Sequence, residues 1–168
     1  MSAKKILVVE DDKASAMLMA YKLKGSGYTV VFAPDGCEAI SQIRSENPDL
    51  MILDLALPSR NPFAGPQWDG FSLMDWLSRS RPTEPIPIVV VTACDSTKSK
   101  KRALDAGAIA YFQKPAQFDA LLAAIRGALG ETSNPSPASS VNSPGPPSGF
   151  MQWFVMSGLA LNLAGGLA

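Results

Sequence analysis

Pro48-Asp49-Leu50-Met51-Ile52-Leu53-Asp54 is the stretch whose reading decides the fold. Four consecutive large apolar residues end abruptly on a carboxylate. A half-exposed strand would alternate polar and apolar residues. An unbroken apolar run this short suits a strand covered on both faces. Comparable runs occur at Ile6–Val9 and Ile88–Val91, with weaker ones at Thr29–Phe32 and Ile109–Phe112. Helical patterns lie between them. Ala14, Met17, Leu18 and Tyr21 follow i, i+3, i+4, i+7 spacing, as do Phe118, Leu121, Leu122 and Ile125, with Leu129 extending the stripe. Gly25 or Gly27 can end the first helix and Gly107 the fourth, and Pro34-Asp35-Gly36 marks a turn before the second. Five strands alternating with five helices predict the α/β class. The expected architecture is a doubly wound, five-stranded parallel sheet with right-handed crossovers and helices on both faces.

The 168 residues suffice for one domain with a full core over residues 1–130. Lys plus Arg and Asp plus Glu are 15 each, so no net charge draws the chain to nucleic acid. There is no histidine, which excludes His-based triads, His metal sites and a phosphohistidine supplied by this chain. Cys37 and Cys94 lack metal or redox spacing and read as reduced, small core residues of an intracellular, cytoplasmic protein. The short apolar run after Met1-Ser2-Ala3-Lys4-Lys5 is too brief for a signal peptide. No charge follows Glu131. Residues 131–149 form a linker whose 132–149 stretch holds five prolines and six serines, a composition that favours extended chain. Residues 150–168 are apolar. As a helix they would span about 28 Å, so a membrane anchor, a partner-docking segment or the first element of a second domain are all open readings. Gln152, Asn162, three glycines and the absence of flanking Lys or Arg argue against the anchor.

The chemistry gathers where the apolar runs stop. Glu10, Asp11 and Asp12 follow Val9, Asp54 follows Leu53, Thr92 follows Val91, and Lys114-Pro115 follows the last run. Ligands of open α/β sheets bind outside the carboxyl ends of the strands, so these groups are aimed at one crevice. Singly they are ordinary: Asp11 or Asp12 can be a helix N-cap, and Thr92 a turn residue. Together, clustered carboxylates repel unless a cation neutralises them, and hard oxygen ligands without His or Cys suit Mg²⁺. Asp54 is the expected nucleophile, forming an acyl phosphate. Asp11 and Asp54, with Glu10 through water, are the expected Mg²⁺ ligands, while Lys114 and Thr92 take other phosphoryl oxygens.

These motifs resemble the response-regulator receiver domains of two-component signalling over roughly residues 4–130. The matching segments are Ile6-Leu7-Val8-Val9-Glu10-Asp11-Asp12, Pro48 to Asp54, Val90-Val91-Thr92-Ala93 and Tyr111-Phe112-Gln113-Lys114-Pro115. The resemblance implies a flavodoxin-like strand order, 2-1-3-4-5. It makes Glu10 and Asp11 the acidic pair, Asp54 the phosphoacceptor, and the Ala56 backbone carbonyl a metal ligand. Thr92 becomes the switch hydroxyl, Tyr111 the switch aromatic, and Lys114 the lysine whose bond to Pro115 is cis. It further implies a histidine kinase or phosphotransfer protein as phosphodonor. A downstream protein partner would be bound through the surface of the fourth helix, fifth strand and fifth helix.

The chain departs from the family between Pro58 and Asp69-Gly70, where residues 59–68 carry eight extra residues including Phe63 and Trp68. A lid or partner-recognition loop is the expectation, set against a tolerated surface loop. Lys98, Lys100, Lys101 and Arg102 form a basic cluster read as a solvated face. Two rival functions are an aspartyl phosphohydrolase and a membrane-tethered scaffold. The first lacks a second acid two residues past Asp54, where Ala56 stands.

Overall fold

The computed structural model describes residues 3–57, 69–80 and 85–131. Five strands alternate with five helices: β1 (Lys5–Val9), α1 (Lys13–Gly25), β2 (Thr29–Ala33), α2 (Gly36–Glu46), β3 (Leu50–Leu53), α3 (Gly70–Ser80), β4 (Ile88–Thr92), α4 (Thr97–Asp105), β5 (Ala108–Gln113) and α5 (Phe118–Ala128). The strands form one parallel sheet in the order β2-β1-β3-β4-β5. The expected linker, the apolar segment 150–168 and the insertion 59–68 lie outside the described residues. Among the described residues no helix is long and apolar enough to cross a membrane.

Side-chain alternation along the strands divides the core between the two faces. Leu7, Val9, Met51, Leu53 and Val90 pack with Ala39, Ile43, Leu73, Met74, Leu77 and Ala103, and so lie under α2, α3 and α4. Ile6, Val8, Leu50, Ile52, Val89 and Val91 pack with Leu23, Leu121 and Ile125 under α1 and α5. Central strands buried on both faces explain why β1, β3 and β4 are unbroken apolar runs.

Local chemistry sets the helix ends. Asp12 caps α1 by accepting the Ser15 N–H at 2.8 Å, and Asp35 caps α2 by accepting from Glu38 N–H at 2.9 Å. Gly27 and Gly107, with φ of 93° and 99°, take the left-handed conformation after α1 and α4 that side chains disfavour. Asp69 caps α3 through the Ser72 N–H at 2.7 Å. Gly70 follows it in a seat with no spare room. A Cβ there would stand 2.6 Å from the Leu55 Cα and 2.8 Å from the Asp54 carbonyl oxygen.

Two expectations are corrected. The stripe Ala14, Met17, Leu18 and Tyr21 does not face the core: all four are exposed. The less exposed side of α1 carries Ala16, Met19, Ala20 and Leu23, which repeat the same i, i+3, i+4, i+7 spacing; Ala16 and Leu23 are buried, and Met19 and Leu23 pack in the core cluster of Ile6, Val8 and Ile52. The small alanines let the helix backbone approach the strands, so the leaner stripe goes inward. Neither cysteine is a core residue: Cys37 is exposed on α2, and Cys94 is half-buried in the β4–α4 loop.

Candidate functional site

The parallel ladder carries the site residues one step beyond the strands. Val9 is level with Leu53, and Leu53 with Val90. Past them, the Glu10 N–H donates to the Ala33 carbonyl at 3.0 Å and the Asp54 N–H to the Val9 carbonyl at 3.0 Å. The Lys114 N–H likewise donates to the Thr92 carbonyl at 2.8 Å. Glu10, Asp54 and Lys114 are therefore each fixed by their own peptide to the neighbouring strand. That is why residues distant in sequence arrive together.

Glu10 and Asp54 are 7% and 5% exposed, and Thr92 is fully buried. Burying carboxylates is costly unless a cation answers them. Lys114 does so: its ammonium donates to Asp54 Oδ2 at 2.6 Å and also to Glu10 Oε2. Burial pushes the Glu10 carboxyl above its ordinary range, against the pull of Lys114. Burial alone would lower the Lys114 pKa, but the bonds to Asp54 and Glu10 reverse this and hold it above the ordinary lysine value. The other Asp54 oxygen, Oδ1, accepts the Ala56 N–H at 2.9 Å. The nucleophile candidate thus has both oxygens oriented. The Lys114–Pro115 peptide is cis, as the resemblance implied.

Among the described residues no three His, Cys, Asp or Glu side chains stand close enough together to hold an ion. Lys114 lies between Glu10 and Asp54 and supplies the positive charge, while Asp11 is partly exposed at the rim. The donor set still fits Mg²⁺ in kind: carboxylate and carbonyl oxygens, with no His or Cys. Asp12 is separated from the others by its capping role.

Thr92 and Tyr111 meet at a residue that sequence reasoning did not single out for the site. The Cys94 N–H donates to Thr92 Oγ1 at 3.4 Å, and the Cys94 carbonyl accepts the Tyr111 hydroxyl at 2.6 Å. Cys94 Sγ is 3.3 Å from Ser99 Oγ in the first turn of α4. The signal available was its place two residues after Thr92, but backbone groups make the contacts to Thr92 and Tyr111, and those have no sequence signature.

Residues 6–126 match the family model described as the response regulator receiver domain. The chain belongs to the response-regulator receiver family. Response regulator MprA of Mycobacterium ulcerans is 38% identical over 128 residues, 76% of this chain and 51% of the relative. The chain spans about half the length of the curated relatives it matches. Among solved structures, a CheY-like receiver domain protein from Methanospirillum hungatei has a TM-score of 0.66 at 31% identity, covering 77% of this chain and 96% of its own. The BeF3-activated N-terminal receiver domain of Klebsiella pneumoniae RstA has a TM-score of 0.64 at 36% identity, covering 75% and 98%. The receiver family accounts for the sheet order and for the crowding of acids and a lysine at its carboxyl end.

Proposed function

We propose that this receiver is a phosphorelay switch whose Asp54 takes a phosphoryl group from a histidine kinase or phosphotransfer protein. The supporting observation is the Lys114 ammonium shared by two buried carboxylates, Glu10 and Asp54, at the carboxyl ends of β1 and β3. An Asp54 carboxylate oxygen attacks phosphorus, the bond to the donor nitrogen breaks, and an acyl phosphate results. Mg²⁺ would be held by Asp11, Asp54 and the Ala56 backbone carbonyl, with Glu10 through water, and would neutralise phosphoryl oxygen charge when bound. Lys114 pairs with a second phosphoryl oxygen, and the Thr92 hydroxyl binds a third. Taking up that bond draws Thr92 from Cys94, while Tyr111 follows through the same residue. The change is read on the α4–β5–α5 surface, where Leu104 and Ile109 stand exposed for a protein partner. On this reading the protein acts in the cytoplasm, by binding and not by turnover of a separate substrate, and without nucleic acid.

Incubation with Mg²⁺ and acetyl phosphate is expected to add one base-labile phosphoryl group, seen by intact mass, and Asp54→Asn to abolish it. No mass gain in the wild type, or a gain that survives Asp54→Asn, overturns the reading.

A further inference from the structure

Helix α4 is lightly held. Of its nine described residues, Ala103 is the buried one. Its first turn is joined to the β4 end of the site through Ser99 and Cys94, the residue that also bonds to Thr92 and Tyr111. Its second half makes a different connection. The Arg102 guanidinium lies over the Phe71 ring, 3.9 Å from its centroid. Phe71 is half-buried in the first turn of α3 and packs against the core under α2, α3 and α4. The residue before it is Gly70, pressed against the Leu55 Cα and the Asp54 carbonyl oxygen with no space for even a methyl group. The Gly70 N–H also donates to the Leu55 carbonyl at 3.3 Å, so the Asp54–Leu55 backbone meets the start of α3 directly, one residue before Phe71.

The geometry points to Arg102 as a positioning residue for the phosphorylation switch: its stack on Phe71 couples the second half of α4 to the β3 end of the site, separately from the route through Thr92 and Cys94. The inference rests on Asp54 being the phosphoacceptor. It also removes Arg102 from the solvated basic cluster of Lys98, Lys100 and Lys101, because a planar guanidinium over a ring is a specific contact that an ammonium does not reproduce. The helix is suited to carry such a signal. With little buried area of its own, its place is set by the contacts at its two halves.

The test uses the full chain with Mg²⁺ and acetyl phosphate, and amide hydrogen exchange read residue by residue. In the wild type, phosphorylation is expected to change exchange along both halves of α4. In Arg102→Gln, exchange at Ala103 to Ala106 should be about two- to five-fold faster before phosphorylation, the range of an exposed cation–π contact. Its response to phosphorylation should be lost there, while Lys98 to Lys100 still respond through Cys94. Arg102→Lys, which keeps the charge, should not restore the response. Phe71→Leu should reproduce the loss, and the double variant should add nothing to it. A response retained at Ala103 to Ala106 in Arg102→Gln, or restored by Arg102→Lys, overturns the inference. Absence of phosphoryl uptake by the wild type overturns the phosphoacceptor reading instead.

Discussion

The two ends of the sheet use the same pairing, lysine against carboxylate, to opposite effect. At the amino end, Lys4 meets Asp49 at 2.7 Å and Lys5 meets Glu46 at 2.9 Å, fastening the start of β1 to the approach to β3 and the end of α2. Asp49 also accepts the Lys5 N–H at 2.8 Å. Water reaches these pairs, with the Lys4 and Asp49 side chains 47% and 32% exposed. At the carboxyl end the distance is similar, 2.6 Å for Lys114 to Asp54, but the carboxylates are buried and one ammonium answers two of them. Distance alone therefore does not separate a fastener from a candidate site. Burial and the ratio of charges do: the exposed pairs are saturated, whereas the buried group has an acid in excess.

The largest test of that contrast is Lys114→Met. It leaves Glu10 and Asp54 buried beside each other without their cation. The expected loss is about 3 kcal/mol in chemical denaturation near neutral pH, toward the lower side for a broken buried pair because Lys114 is itself partly exposed. The loss should shrink as pH falls and Glu10 takes up a proton, which its raised pKa favours. A loss that does not vary with pH breaks the comparison.

Alkaline titration loads both ends at once. Burial, with the Glu131 carboxylate accepting the Tyr28 hydroxyl at 2.6 Å, pushes Tyr28 up to about 12. The folded chain keeps that proton where the unfolded chain gives it up. Stability is therefore full below pH 10 and falls as pH rises toward 12, by up to about 2 kcal/mol. Lys114 has the same sign: its raised value means stability present below its ordinary pKa of 10.5 and lost above the folded one. Tyr28→Phe should flatten only the Tyr28 part of a stability–pH curve. A decline unchanged by Tyr28→Phe would assign the whole effect to the carboxyl end.

The smallest effect is expected for Lys4→Ala, about 0.5 kcal/mol and further reduced in high salt, as for an exposed pair. If Lys4→Ala costs as much as Lys114→Met, the two ends do not differ in kind.

Much of this was legible because parallel strands buried on both faces cannot hide their hydrophobicity. Leu50–Leu53 and Ile88–Val91 announce themselves, and the residue types after them name the site. What was not legible follows from degeneracy or from backbone chemistry. Helix α1 carries two stripes of identical spacing, and periodicity cannot choose between Ala14, Met17, Leu18 and Tyr21 on one side and Ala16, Met19, Ala20 and Leu23 on the other. The grip of Lys114 on both Glu10 and Asp54 depends on β5 lying two strands from β3, a distance that no local pattern encodes. Cys94 acts through its peptide, which any residue possesses. Arg102 looked like its basic neighbours until Phe71 was placed beneath it.

The seat of Gly70 has a consequence for chain entropy. Leu57 is buried and Gly70 is wedged against Leu55, so the residues on either side of positions 58–68 are both pinned. Once ends are pinned, closing a loop grows dearer only with the logarithm of its length, about 0.6 kcal/mol per doubling. The eight extra residues before Asp69 therefore weigh little on folding. The same span should accept a grafted epitope or a small reporter, provided that Gly70 is left as it is.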